Sequence, residues 1–194
     1  MTKPVTALTA VLLEDKGLLD LNAPVETLIP EMANWRTLNH PAAELHDCTS
    51  LSCGPTLLQL LTHTSGISYG DAQGSMLDQA LAQKIARNCS LGGLLNTLSE
   101  LPLVFPPGTA WCYGYGLDVL GVAMMRATGK SLGKIFDEFV FQPLGMTDTG
   151  FEVSSSAVSR LAILYNSEND NRLTEISMEP PLGPQVGGSQ DNAE

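Results

Sequence analysis

The segment Phe105-Pro106-Pro107-Gly108-Thr109-Ala110-Trp111-Cys112-Tyr113-Gly114-Tyr115-Gly116-Leu117-Asp118-Val119-Leu120-Gly121 changes character twice along its length. A Pro-Pro-Gly turn leads into a tight aromatic loop, and the loop opens directly onto an apolar helix. Proline presets φ and glycine permits φ > 0, so turn chemistry of this kind fixes the backbone and aims a side chain. The side chain aimed here is Tyr113. A phenol held rigidly beside a cation gives up its proton more easily and can serve as a general base. The plainer alternative is that Trp111, Tyr113 and Tyr115 form an aromatic cap over a core.

Outward from this loop the chain reads as mostly helical. Residues 4–16 predict a helix with Val5, Leu8, Val11 and Leu12 as its apolar positions, Pro4 in its first turn and Gly17 as its stop. Residues 18–30 predict an extended piece and a single helical turn between Pro24 and Pro30. Residues 31–54, rich in Asn, His, Asp, Cys and Ser, predict a surface loop. Helices are expected over 55–63, about 75–87, 91–101, 117–128 with Gly129 as stop, and 131–141 capped by Ser131. Pro143-Leu144-Gly145-Met146 turns the chain out of the last of these. Residues 160–165 predict a strand and 166–171 a turn, and the Pro- and Gly-rich end from 180 has the composition of a flexible tail. No internal repeat is present.

Composition narrows the class of protein. A chain of 194 residues with 43% hydrophobic residues is one domain, or a part of a larger one, with enough apolar material for a core. A formal net charge of −11 argues against nucleic acid and anionic membrane surfaces as partners, since both demand a basic footprint. No apolar run approaches the ~18 residues of a membrane span. Lys3 followed by residues 5–13 is only superficially like a signal peptide, because the run ends in Glu14-Asp15-Lys16 with no small-residue cleavage site. Cys48, Cys53, Cys89 and Cys112 lack metal or redox spacing; a Cys48–Cys53 bridge is conceivable in an oxidising compartment, with four reduced thiols the favoured reading. The compartment reading leans to cytoplasmic, any signal peptide being expected ahead of Met1. His40, His46, Asp47 and Cys48 fit no standard metal site, and no metal or cofactor is implied.

Several stretches taken together resemble the serine β-lactamase and penicillin-binding-protein superfamily, in particular class C β-lactamases and family VIII carboxylesterases. They are Met1-Thr2-Lys3-Pro4-Val5-Thr6-Ala7, Gly17 to Val25, Leu60-Leu61-Thr62-His63-Thr64-Ser65-Gly66, the aromatic loop, Pro143 to Thr149, and Arg160-Leu161-Ala162. They occur in the family's order over roughly residues 1–165. The resemblance implies a serine nucleophile at the start of a helix with a lysine one turn later (S-x-x-K), on the same helix face and within reach. It further implies a tyrosine from a second motif that shares the proton shuttle, and a third motif on a strand. The acyl-enzyme so formed divides one hard step into two easier ones.

On that pattern Lys3 matches the lysine and Tyr113 the tyrosine, as catalytic residues, with Trp111 and Tyr115 as substrate-binding candidates. The serine is expected at the position before Met1, and the third motif after the end of the sequence. Part of the oxyanion hole would go with them. Position 115 is Tyr where the lactamases carry Asn, which turns the expectation from β-lactams to a small ester or amide, simple esters first. The fold implied is the helical lobe of an α/β β-lactamase-like domain with most of its antiparallel sheet missing. It is therefore mainly α, with residues 1–165 as a partial domain, 166–194 as a poorly structured tail, and an apolar face left for the sheet. The function implied is a serine hydrolase acting through an acyl-enzyme, inactive in these residues alone. The alternative is a non-catalytic binding or regulatory module built from the same lobe. Oligomeric state is not legible.

Two strings imitate nucleophile motifs. Gly66-Ile67-Ser68-Tyr69-Gly70 fits the G-x-S-x-G elbow, but a helix precedes it where the elbow needs a strand. Ser131-Leu132-Gly133-Lys134 fits S-x-x-K literally, yet Ser131 after Gly129-Lys130 reads as a helix cap. His63 reads as a turn histidine that satisfies backbone groups. Asp118 reads as an acid favoured at a helix N-terminus by the macrodipole.

Overall fold

A computed structural model describes residues 2–70, 75–85, 90–167 and 172–176. Six helices carry the fold: α1 (Thr2–Asp15), α2 (Leu57–Leu61), α3 (Met76–Lys84), α4 (Leu91–Glu100), α5 (Gly116–Thr128) and α6 (Leu132–Phe136), the last running on into a π-helical turn over Asp137–Phe141. Two antiparallel hairpins, β1 (Arg36–Leu38) with β2 (Cys48–Ser50) and β3 (Leu164–Ser167) with β4 (Leu173–Ile176), are the named strands among the described residues. The mainly helical architecture expected from the sequence is what forms.

Helix α5 is the hub. Gly116, Leu117, Val119, Leu120, Gly121, Val122, Ala123 and Met124 are all buried, so successive turns have no solvent face, and α1, α2, α4 and α6 pack around it. A helix apolar all round is stable only when enclosed in this way. Its end is set by Gly129 in the left-handed region at φ 66°, whose N–H bonds back to the Met125 carbonyl. Helices α2, α3 and α4 start on side-chain caps. Thr56 and Gln59 form a reciprocal capping box, and the hydroxyls of Ser75 and Ser90 accept from Asp78 N–H and Gly93 N–H.

Helix α1 buries a different stripe from the expected one. Thr6, Thr9, Ala10 and Leu13 face the core, Val5 and Leu12 lie at its margin, and Leu8 and Val11 are 43% and 48% exposed. Two threonines in the core cost little because each hydroxyl donates to the carbonyl one turn back, Thr6 to Thr2 and Thr9 to Val5. Leu8 and Val11 leave apolar surface open on the opposite side of α1.

Residues 31–54 correct a second expectation. They are not simply a surface loop: Met32, Trp35, Thr37 and Leu38 are buried, and β1 and β2 pair within this stretch. The Trp35 indole N–H donates to Glu26, and the same carboxylate accepts from Gly54 N–H, so both ends of the stretch are tied to one side chain. Three-residue strands among polar residues leave almost no periodic signal. Leu103 then pairs with β1, its N–H donating to Arg36 and its carbonyl accepting from Leu38.

Near the C-terminal end, two stretches quoted for the family resemblance meet. Arg160 donates two parallel hydrogen bonds to Asp148, at 2.7 and 2.6 Å. The strand expected over 160–165 begins later, after a 3-10 turn at Val158–Arg160. The exposed β3–β4 hairpin includes residues 166–167 and 173–176 of the segment read as tail; residues 177–194 and most of the turn expected over 166–171 lie outside the described residues. Ser131 does stand at the α6 N-cap with extended backbone, but its hydroxyl makes no capping bond. Cys48, Cys53 and Cys112 are free thiols, and Cys89 lies outside the described residues. Among the described residues no helix is long and apolar enough to cross a membrane.

The rotation of α1 is testable by paired truncations. Leu13→Ala should cost about 2–5 kcal/mol in urea unfolding, the usual range for emptying a buried leucine site. Leu8→Ala should stay within about 0.5 kcal/mol, as exposed positions do. The opposite ranking would restore the original reading of the helix.

Candidate active site

The aromatic loop is held by backbone before any side chain acts. Val104, Gly108 and Cys112 donate their N–H groups to the carbonyls of Gly66, Thr64 and His63, at 2.9, 2.8 and 2.9 Å. Gly108 takes the positive φ, 83°, that the Pro-Pro-Gly turn requires. Beyond it the two segments close so tightly that a Cβ on Gly114 would lie 2.0 Å from the Ile67 carbonyl oxygen. Glycine is the residue that permits this approach, and the approach lays the aromatic side chains of one segment against those of the other.

Lys3 emerges half-buried from the first turn of α1 into this cluster. Its Nζ lies 5.1 Å from the centroid of the Tyr113 ring and 5.2 Å from that of Tyr69. The cation therefore sits against two π faces, an arrangement worth about 0.5–2 kcal/mol depending on desolvation. Tyr69 is stacked between Tyr113, at 5.5 Å and 15°, and Tyr115, at 4.2 Å and 33°. His63 packs on Tyr113 at 4.7 Å and on the edge of Trp111 at 6.1 Å. Trp111, 65% exposed, and Tyr113, 47% exposed, form the open side of the cluster. The structure thus brings together Lys3, Tyr113 and Trp111, while Tyr115 is turned against Tyr69.

Charge in the site is set by burial and by a few neighbours. Burial pushes Lys3 down, but Tyr69, Asp118 and Tyr113 outweigh it by charge, and Tyr113 by hydrogen bonding as well, so the ammonium is held above the ordinary lysine value. Burial, then Asp118, pushes the Tyr69 phenol up against the pull of Lys3. Asp118, in the first turn of α5, is pushed up by burial and opposed by the Lys3 charge. It stands where an acid favoured by the helix N-terminus is expected, and its Oδ2 is buried with no hydrogen-bond partner among the described residues. Sequence reasoning missed Tyr69 as a neighbour of Lys3; its position within the G-x-S-x-G string drew attention to Ser68 instead.

Ser68 is a structural serine. It is buried, donates to Asp78 at 2.8 Å and accepts from Gly70 N–H, and Ser75 donates to the other oxygen of Asp78. Ser65 is also buried and accepts from Ile67 N–H. Burial pushes the neighbouring Cys112 thiol up, which leaves it a poor nucleophile. Of the weighed metal set, His40 accepts from Ala42 N–H, His46 pairs with Glu44 and Asp47 accepts from Asn39. Among the described residues no three such groups converge.

His63 corrects the expectation that it satisfies backbone groups. Its Nδ1 is buried without a hydrogen-bond partner among the described residues, and the residue holds φ 58°, alone in this among the described non-glycine residues. Positive φ places the ring on the aromatic cluster, and strain of this kind is tolerated where surrounding contacts over-determine it.

Two experiments follow. Gly114→Ala should destabilise the fold by about 1–3 kcal/mol, the range for inserting a methyl group into close-packed surroundings, read by thermal or urea unfolding; a neutral result would show that the two segments can part. Burial and the Lys3 charge push His63 below its ordinary value of 6.5, so folding favours neutral imidazole. The unfolded chain then binds more protons just below that value. This contribution to stability is complete above about pH 6.5 and is lost as pH falls through that value toward the folded one. Melting from pH 7.5 down to pH 5 should show that loss in the native chain and a flatter profile in His63→Asn, which tolerates positive φ; parallel profiles would exclude it.

Comparison with known proteins places this geometry in a family. A Beta-lactamase family model matches residues 1–188. An uncharacterised protein of Mycobacterium tuberculosis is 38% identical over 181 residues, covering 93% of this chain and 45% of that protein. Esterase EstB of Burkholderia gladioli is 37% identical over 171 residues, covering 86% and 40%. The solved structure of a simvastatin synthase (LovD) mutant from Aspergillus terreus superposes with a TM-score of 0.74 at 28% identity, covering 96% of this chain and 46% of that one. The chain spans less than half the length of these relatives. A lysine on the first turn of a helix, held against a tyrosine from a glycine-rich loop, in a chain matched by that family model over nearly its whole length, makes this chain a member of the beta-lactamase family, with the mainly helical part of its fold and with esterase and acyltransferase relatives.

Proposed function

We propose that this chain supplies the lysine–tyrosine half of a serine-hydrolase site that cleaves a small ester through an acyl-enzyme. The observation that carries the reading is the seating of the Lys3 ammonium against the Tyr113 ring. In this reading a serine oxygen, one helical turn ahead of Lys3, attacks the ester carbonyl. Its proton passes by way of the Tyr113 hydroxyl to the departing alcohol, and water then releases the acid by the reverse sequence. Lys3 offsets the negative charge that develops during both transfers. Trp111, open to solvent beside Tyr113, offers an apolar wall for one side of the substrate.

An ester is favoured over a β-lactam by position 115. Tyr115 is half-buried against Tyr69, and in this reading it offers no side-chain amide to a substrate's acylamino group. In this reading the S-x-x-K pattern, with Lys3 as its lysine, puts the nucleophile one helical turn ahead of Lys3, and Ser65 and Ser68, buried and engaged, are not candidates for it. The 194 residues alone are therefore inactive in this reading.

A fluorophosphonate probe followed by intact mass and peptide mapping tests it. The 194-residue chain should take no adduct. A chain extended by one serine, so that Ser-Met-Thr-Lys restores the one-turn spacing, should be labelled on that serine, and Tyr113→Phe should lower the labelling rate about 10²-fold or more, as loss of a proton-transfer group does. An adduct on Ser65, Ser68 or Ser131 would overturn the assignment, as would an extended chain that stays unlabelled.

A further inference from the structure

We propose that His63 is a positioning residue of this site: it grips the aromatic loop by its carbonyl on the Cys112 N–H and by its imidazole on the Tyr113 ring, and so fixes where the Tyr113 hydroxyl lies. The grip begins at the end of α2. Thr64 donates its N–H to the Gln59 carbonyl at 2.9 Å, and His63 donates its own to the Leu60 carbonyl at 3.3 Å. These paired bonds close a helix on a left-handed residue just past its C-cap, here Thr62. Glycine takes that position without strain, yet His63 holds it at φ 58°. The imidazole also leaves Nδ1 buried with no partner among the described residues. Contact of the ring itself is what offsets these two costs.

That contact is with Tyr113. The two ring centroids lie 4.7 Å apart, closer than Tyr113 stands to Tyr69, at 5.5 Å, or to Trp111, at 6.4 Å. Tyr113 is nearly half exposed, so its ring is fixed by neighbours and not by burial. The main chain is tied at the same place, since the Cys112 N–H donates to the His63 carbonyl at 2.9 Å, one residue before the phenol. Histidine meets both demands. It is among the few non-glycine residues enriched in left-handed backbone, and of those it is the one that carries a ring.

The consequence rests on the acyl-transfer reading and deepens it. A proton passes through the Tyr113 hydroxyl only when that oxygen stands within hydrogen-bond reach of the groups it serves, and a misplacement of about 1 Å can cost about 10²-fold in rate. In this reading His63 touches neither serine nor ester. It acts through Tyr113.

The test separates position from stability. Glycine and asparagine both accept left-handed backbone, so His63→Gly and His63→Asn should fold, and neither supplies a ring. In the 194-residue chain with 13C-labelled tyrosine, Tyr113 and Tyr69 are assigned by NMR from the signals lost in Tyr113→Phe and Tyr69→Phe. The native Tyr113 ring should show through-space contacts with both His63 and Tyr69, and the Tyr69 contacts should weaken in both variants. Undiminished Tyr69 contacts in a folded variant would overturn the proposal; should neither variant fold, absence of the His63 contacts in the native chain would do so. In the serine-extended chain, His63→Gly should slow fluorophosphonate labelling about 10-fold or more. It should add no further loss in a Tyr113→Phe background, because a ring without its hydroxyl has no proton to place. A full further loss there would equally overturn the role. An extended chain that takes no label defeats the acyl-transfer reading and leaves the ring contacts to decide the position of Tyr113.

Discussion

The contact on which the site depends is a backbone one: the approach of Gly114 to the Ile67 carbonyl, continued by the hydrogen bonds from Val104, Gly108 and Cys112 to Gly66, Thr64 and His63. These bonds join two segments that are far apart in sequence and place Tyr69 against Tyr113. Without them the aromatic loop would have no fixed neighbour, and Lys3 would face solvent instead of two rings. Each backbone bond is worth only about 0.5–1.5 kcal/mol net, but the set acts together and specifies one geometry.

Behind that contact stands the burial of α5. Because the helix is enclosed by α1, α2, α4 and α6, its N-terminus cannot drift, and Asp118 is carried inward with it. Burial raises Asp118 and the Tyr69 phenol, and burial together with the Lys3 charge depresses His63. The core and the site are thus one structure, with the packing of the hub helix deciding how charge is distributed at its end.

The exposed apolar residues Leu8 and Val11 belong to the same picture. They lie on α1, the helix that carries Lys3, opposite the stripe that packs on α5. The chain spans less than half the length of its relatives, and the face of α1 turned away from the core is apolar.

Much of this was legible from the residues. The positions of the helices followed from apolar spacing and from the stop at Gly129, a local device with a local signature, whereas the caps at Thr56, Ser75 and Ser90 came to light with the structure and the one cap expected, Ser131, makes no capping bond. The pairing of Lys3 with Tyr113 was legible through the order of the motifs, and the structural role of Ser68 through the helix ahead of it. Tertiary structure alone decided the rest. It decided that Thr6 and Thr9 face the core, because their hydroxyls could be satisfied one turn back. It decided that Trp35 and Leu38 are buried in a stretch that reads as loop, because Glu26 and Leu103 reach them from elsewhere in the chain. And it decided that Tyr69 and His63 join Tyr113 in the aromatic cluster that Lys3 enters, since stacking acts through space between segments that no local spacing connects.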